Sequence, residues 1–137
     1  MAFVRGLKQT NAIPVTATGF NLTAINSSVG AGTTIACEGH NQVTLFVTYT
    51  RNAGTGIQFN IETSNDGSTF YKMQAAALSS GTLTLSDVLY TKVSSSTVSF
   101  VINFEINATH FRLANVVATG SPNTNDKATV SAIIGGF

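Results

Sequence analysis

The residues best suited to metal or nucleophilic chemistry are Cys37 and His40, in the segment Cys37-Glu38-Gly39-His40. This spacing supplies half of a metal site, but a structural zinc site needs four ligands, and the other histidine, His110, is distant in sequence. Cys37 falls at an apolar-face position where a predicted strand ends. Nothing marks a third orienting group or an oxyanion hole around this pair. The sequence therefore predicts a buried structural cysteine beside a loop histidine, with no metal and no cofactor.

The carboxylates are the candidates for acid–base chemistry. A glycosidase needs two of them held across a sugar in a cleft. Glu62 and Glu105 are predicted on polar strand faces and could be neighbours across strands or sheets, but tryptophan is absent and no cluster of sugar-stacking rings is evident. We expect Glu62 and Glu105 to be solvated on outer faces, and Asp66 to stabilise the turn in which it lies. We expect the protein not to be an enzyme. The remaining acidic residues are Glu38, Asp87 and Asp126.

The glycine-containing segments do not form a phosphate site. Gly30-Ala31-Gly32-Thr33 and Gly54-Thr55-Gly56 are predicted to link strands. Phosphate-binding loops need a following helix that presents its amides to the anion. We therefore interpret both segments as connections.

Alternation of apolar and polar residues with period two dominates the chain. Val98–Asn107 is the clearest case, and Val43–Thr50 and Ile57–Glu62 follow the same pattern. With the turn at Asp66-Gly67, residues 42–73 predict a three-stranded meander. Shorter candidate strands are Val15–Ala17, Asn21–Ile25, Thr33–Cys37, Thr82–Leu85, Phe111–Val117 and Ala128–Ile134.

These elements predict an all-β fold, a single-domain antiparallel β-sandwich of the jelly-roll or immunoglobulin-like kind with about eight or nine strands. A small barrel is the alternative. The domain is predicted to span residues 1–137, with residues 1–11 as an extended arm and residues 133–137 as a docking tail. Only Lys72–Leu78 is compatible with a helix, where a loop or a single helical turn would also fit.

Composition limits the partners. Charged residues make up 9% of the chain and the net charge is +1, whereas an average soluble domain has about 25% charged residues. No cluster of lysine or arginine occurs, which argues against nucleic acid as a partner.

No apolar run approaches the length of a membrane span, and the N-terminal residues lack a signal-peptide pattern, so we expect no membrane partner and synthesis in a cytoplasm. A weakly charged surface of Thr, Ser and Asn favours association with copies or partners.

Most of the aromatic residues fall on apolar faces and are predicted to lie in the core. Phe46 and Tyr71 are predicted to be exposed, and Phe3 and Phe137 lie in the terminal segments. Exposed aromatic rings on a weakly charged surface are good anchors for protein contacts. These four residues are the candidate protein-contact residues.

The order of strands and turns resembles that of small β-sandwich structural proteins of tailed bacteriophages, including capsid decoration (cement) proteins and some tail or fibre modules. The resemblance covers residues 33–134 and is carried by Gln42–Tyr49, by Ser64-Asn65-Asp66-Gly67-Ser68-Thr69-Phe70-Tyr71 and by His110–Val116. It transfers no particular functional residue.

The resemblance implies a virion protein made in the host cytoplasm. The leading hypothesis is a capsid decoration protein that binds the outside of the shell and bridges adjacent subunits of the major capsid protein. It would also contact copies of itself as a homo-oligomer, trimer or dimer. The alternative is a tail or fibre module that binds a host-surface glycan or another tail protein.

Overall fold

The computed structural model of the chain describes residues 21–22 and 24–135. Within them the fold is all-β, with two packed antiparallel sheets and a separate two-stranded ribbon, none of them closed into a barrel. The predicted β-sandwich is confirmed. No helix long and apolar enough to cross a membrane occurs in this part of the chain. The strands are β1 (Asn21–Leu22), β2 (Ile35–Ala36), β3 (Gln42–Thr50), β4 (Gly54–Ser64), β5 (Tyr71–Lys72), β6 (Gln74–Ser79), β7 (Thr82–Asp87), β8 (Tyr90–Val93), β9 (Val98–Glu105), β10 (His110–Gly120) and β11 (Lys127–Gly135).

The first sheet has four strands in the order β1-β11-β3-β9. The second has the order β2-β10-β4-β5, and β8 also pairs with β4, further along the same edge as β5. The ribbon consists of β6 and β7. The predicted arm 1–11 and the strand at Val15–Ala17 lie outside the described residues. Of the predicted docking tail, residues 133–135 belong to β11, and residues 136–137 are outside the described part.

The core lies between the two sheets, and period-two alternation places it there. Along β3, alternate side chains are fully buried while the residues between them face outward. Burial of apolar area is the main term that stabilises such a sandwich. The facing strands contribute in the same way, and the main buried residues are Val43, Leu45, Val47 and Tyr49 of β3, Ile57, Phe59 and Ile61 of β4, Phe111 and Leu113 of β10, and Val130, Ala132 and Ile134 of β11.

A β-bulge in β10 changes which residues face the core. The register against β4 shifts between Ala114 and Val117, where β10 holds one extra residue. At the bulge Asn115 has a φ of 55°, a conformation that Asn tolerates better than most residues. After the bulge, Val116 and Ala118 are the buried positions. Without this extra residue, the alternation that begins at Phe111 would have buried Val117 instead.

The predicted meander over residues 42–73 is wrong at its first turn. β3 belongs to the first sheet and β4 to the second, so residues 51–53 cross between the sheets. A carboxylate distant in sequence, that of Asp126, accepts hydrogen bonds from the backbone amides at the crossing, and no local pattern reveals that partner. Gly54–Gly56, predicted as part of the link, instead begin β4. The second pairing of the meander, between β4 and β5, is confirmed.

The segment 72–78 forms no helical turn, because Lys72 pairs in β5 and residues 74–78 pair in β6, with Met73 alone between the two strands. β6 pairs with β7 through six consecutive residue pairs. Ser80 and Gly81 join the two strands with φ values of 50° and 78°, and positive φ at both central residues matches a tight hairpin turn whose twist suits the flanking strands. This strand pairing overrides the helical preference of Ala75-Ala76-Ala77.

Candidate functional site

The most unusual surface is the ribbon of residues 74–87, called the hairpin arm here. All of its strand residues are exposed to solvent, and its strands pair with each other and not with either sheet. No charged side chain occurs between Ala75 and Ser86. Apart from Asp87 at its root, the arm therefore extends from the sandwich as an uncharged ribbon.

One face of the hairpin arm is apolar. Leu78 pairs directly with Leu83, and Ala76 pairs directly with Leu85. Residues paired in this way lie on the same face of a ribbon, and the three leucines are 71%, 64% and 64% exposed in chain order. The opposite face carries Ala, Ser and Thr side chains. We call Ala76, Leu78, Leu83 and Leu85 the apolar face.

The root of the hairpin arm is fixed to the second sheet. The amide of Met73 donates to the carbonyl of Ile61 at 3.0 Å, and the amide of Val88 donates to the carbonyl of Met73 at 2.8 Å. Asn60 holds the same region from the outer side of β4, since its Nδ2 donates to the carbonyl of Val88 at 3.0 Å. The arm thus extends from an anchored base.

A polar pair closes the base of the ribbon. Gln74 donates through Nε2 to Oδ1 of Asp87 at 2.7 Å, and the Nζ of Lys72 lies 3.5 Å from Oδ2 of Asp87. The hydrogen bond from Gln74, followed by the charge of Lys72, lowers the pKa of Asp87. The charges are therefore confined to the root, and the rest of the arm is neutral.

The candidate contact residues from the sequence lie apart. Tyr71 is 61% exposed on β5, close to the root of the hairpin arm. Phe46 is 41% exposed on the outer face of the first sheet, where it is directly opposite Val101 of β9. Phe3 and Phe137 lie outside the described residues. The hairpin arm contains no aromatic residue. The predicted strand at Thr82–Leu85 is confirmed as part of β7, whereas the sequence did not predict β6, because its Ala run fits a loop or a helical turn equally well.

Cys37 is buried and His40 lies in the turn that follows it. Cys37 is fully buried at the edge of the core, and burial raises the pKa of its thiol to about 11. A thiol with a raised pKa is a poor nucleophile at neutral pH. The amide of His40 donates to the carbonyl of Cys37 at 2.9 Å, which closes a turn. Within the described residues, no group of three or more metal-ligating side chains occurs.

The carboxylates Glu62 and Glu105 are separated by the fold. Glu62 lies on β4 of the second sheet, whereas Glu105 ends β9 of the first. Glu62 is not a freely solvated carboxylate, because the Nε of Arg112 donates to its Oε1 at 2.7 Å. Arg112 also stacks over the ring of Phe70, 3.8 Å from its centroid. Glu62 is thus part of a cross-strand ion pair, while Glu105 is exposed.

Asp126 is the most highly connected carboxylate, and sequence reasoning did not single it out. Its side chain is fully buried and accepts the Tyr49 hydroxyl at 2.7 Å and the amides of Asn52, Gly54 and Asn123 at 2.9, 3.1 and 2.8 Å. Burial by itself raises the pKa of this carboxyl, but these hydrogen bonds outweigh it and hold the pKa far below its usual range. Asp126 fixes the crossing between the sheets and has a structural role.

One concavity lies at an end of the sandwich. It is open to solvent, has a volume of about 400 Å³, and its lining includes His40, Asn65, Asn107 and Thr109. No Phe or Tyr ring lines it, whereas glycan sites commonly stack a sugar on such a ring. This concavity lacks the exposed aromatic residue that the glycan-binding alternative predicts.

Among the solved structures with which the chain shares a similar shape is one from a prophage. It is the crystal structure of the SPBc2 prophage-derived protein YomS, with a TM-score of 0.48 and 13% sequence identity over 89% of this chain and 95% of that chain. No family model matches the chain, and no curated protein matches it in sequence. A similarity at this level assigns neither a family nor a function.

Proposed function

We propose that the protein is a structural component of a tailed phage virion, and that its specific role is decoration of the capsid exterior. It would bind the outside of the shell, bridge adjacent subunits of the major capsid protein and stabilise their contacts. The observation that carries this proposal is the apolar face of the hairpin arm. The bacteriophage setting itself comes from the resemblance carried by Gln42–Tyr49, Ser64–Tyr71 and His110–Val116.

The hairpin arm has the properties of a segment that binds a partner. A two-stranded ribbon is at best marginally stable in water when it stands alone, and this one keeps three leucines mostly exposed. Full burial of a leucine contributes about 1.5–3 kcal/mol. A partner groove that covers Leu78, Leu83 and Leu85 would therefore recover several kcal/mol.

The absence of charge on the arm fits recognition through shape and apolar contact. No charged residue lies between Ala75 and Ser86, so long-range steering contributes little to encounter. On a shell, identical binding sites are repeated, so the arms of a homo-oligomer can bind neighbouring sites together. Linked contacts strengthen binding well beyond one contact alone, which suits a protein that bridges neighbouring subunits.

The test is binding to phage shells prepared without the protein, with the hairpin arm altered on either face. Leu83→Asp places a charge on the apolar face, and Thr84→Asp places the same charge one residue away on the opposite face. We expect Leu83→Asp to weaken binding by about 100-fold or more, because a buried leucine is lost and a charge must be desolvated. Thr84→Asp is expected to bind within a few-fold of the unaltered protein, as measured by co-sedimentation over a concentration series.

Other results would redirect or end the proposal. Binding to isolated tails, and not to shells, would reject decoration while keeping a virion role. Binding to host polysaccharide that is unaffected by Leu83→Asp would favour the glycan-binding alternative. Equal binding of the two variants to shells would remove the hairpin arm from the mechanism.

A further inference from the structure

The last strand of the first sheet, β9, has one side without a partner in the described part of the chain. Its eight residues, Val98–Glu105, pair with β3 in one continuous register without a bulge. Along its other side, none of the strands in residues 21–22 and 24–135 pairs with it. The backbone donors and acceptors on that side can therefore pair with another chain.

β9 lacks the features that normally block such pairing. Natural edge strands are protected by short length, by Lys or Pro, or by a bulge. The opposite edge of the same sheet is the two-residue β1, and the second sheet ends in the two-residue β2 and in β5 and β8, which carry Lys72 and Lys92. β9 is longer than these edge strands and contains no Lys, Arg or Pro.

The inward side of β9 is also incompletely covered. Phe100, Ile102 and Phe104 pack against the core but remain partly exposed where the sandwich is open. On its outward side, Val101 is 51% exposed. An added strand would continue the hydrogen bonding of the sheet and cover apolar side chains on both faces.

We propose that β9 pairs with β9 of a second copy, antiparallel and about a two-fold axis, so that the two four-stranded sheets become one continuous sheet. Glu105 is the charged residue of β9, and its position near one end of the strand favours a second copy as the occupant, because the two Glu105 side chains do not meet. If the axis passes through Val101, Glu105 lies opposite Thr97 of the other copy, and if it passes through Ile102, Glu105 lies opposite Ser99. The two Glu105 residues then stand about 20–27 Å apart at a strand rise of about 3.4 Å per residue, well beyond the screening length of about 10 Å at 0.1 M salt.

The side chains are self-complementary in this arrangement. With the axis at Ile102, Phe100 of one copy is directly opposite Phe104 of the other, and such cross-strand aromatic pairs stabilise antiparallel sheets. An interface in which the same patch meets itself is also the commonest form of homodimer. The inference is independent of the hairpin arm. The arm is anchored to the second sheet through Met73 and Val88, whereas β9 belongs to the first sheet.

The experiment uses the full chain with a charge placed near the proposed axis. Val101→Lys and Val101→Glu each bring two like charges close together in the dimer, so each variant alone is expected to be monomeric or to dimerise at least about tenfold more weakly. An equal mixture of the two variants is expected to form a one-to-one dimer, because opposite charges then meet. Sedimentation equilibrium measures the dimerisation of each variant and of the mixture, and mass spectrometry identifies the mixed dimer.

Ile133→Lys is the matched control. Ile133 is exposed on the outer face of the same sheet, but its strand, β11, is separated from β9 by β3, so this variant is expected to dimerise like the unaltered protein. An unaltered protein that is monomeric or trimeric, a Val101→Lys variant that still dimerises, or a mixture that fails to form the mixed dimer would each overturn the inference. A monomeric protein that still binds shells through Leu83 would overturn this inference alone and leave the proposed function standing.

Discussion

At the scale of single residues, Asp126 does more for this fold than the residues whose types suggested chemistry. Its buried carboxylate joins the end of β3 to the start of β4 through the Tyr49 hydroxyl and the amides of Asn52 and Gly54. A buried charge is tolerated only when donors surround it, and here they do. The sequence shows an aspartate in a polar loop, and nothing local indicates that its partners Tyr49, Asn52 and Gly54 lie more than 70 residues away.

The first prediction concerns the charge of Asp126. Asp126→Asn keeps the shape of the side chain but removes the negative charge that accepts several hydrogen bonds, each worth about 1.5–3 kcal/mol when an ion is involved. We expect the free energy of unfolding to fall by about 3 kcal/mol in urea titrations. Asp87→Asn, at an exposed carboxylate, is the control and should change it by less than about 0.5 kcal/mol. Equal effects of the two substitutions would contradict the role given to Asp126.

The second prediction concerns pH. The pKa of Asp126 is lowered in the folded state, so the folded protein binds fewer protons than the unfolded chain in acid. Stability is therefore fully present above the unfolded pKa of about 4 and is lost as the pH falls below it towards the folded pKa. Urea midpoints between pH 6 and pH 2 should decrease steeply for the unaltered protein and less steeply for Asp126→Asn. A variant with an unchanged acid slope would show that another group dominates.

At the scale of elements, strand alternation predicted most of the sandwich, and it failed where distant pairing decides the outcome. β3, β9 and β11 follow their sequence patterns because one face of each packs on the core, fully buried in β3 and β11 and partly buried in β9, while the other face is more exposed to solvent. β6 and β7 are exposed throughout, so no alternation marks the Ala run of β6. The bulge at Asn115 and the crossing after β3 depend on contacts that are remote in sequence.

The third prediction concerns the hairpin arm as a removable element. Residues 75–86 are replaced by Asn-Gly, which joins the paired residues Gln74 and Asp87 through a tight turn. Because the arm contributes nothing to the buried core, the free energy of unfolding should change by less than about 1 kcal/mol, while binding to shells is lost. A loss of more than about 3 kcal/mol in urea titrations would mean that the arm supports the sandwich instead of serving a partner.

At the scale of the whole molecule, the surfaces proposed for contact are on separate elements. The apolar face of the hairpin arm is assigned to the shell, and the free side of β9 is assigned to a second copy. Sequence reasoning found the fold class and the exposure of Phe46 and Tyr71. It could not find either surface. Whether an apolar ribbon is exposed and whether a strand edge is unpaired both depend on the order of the strands in the sheets, which a single sequence does not reveal.

The central claim is that the apolar face of the hairpin arm is buried against a shell subunit. An electron cryomicroscopy reconstruction of shells saturated with the protein tests it most directly. The account predicts density for the sandwich on the outer surface, with Leu78, Leu83 and Leu85 in contact with capsid protein. A reconstruction in which the protein is bound but these leucines face solvent, or in which shells carry no added density, would contradict it.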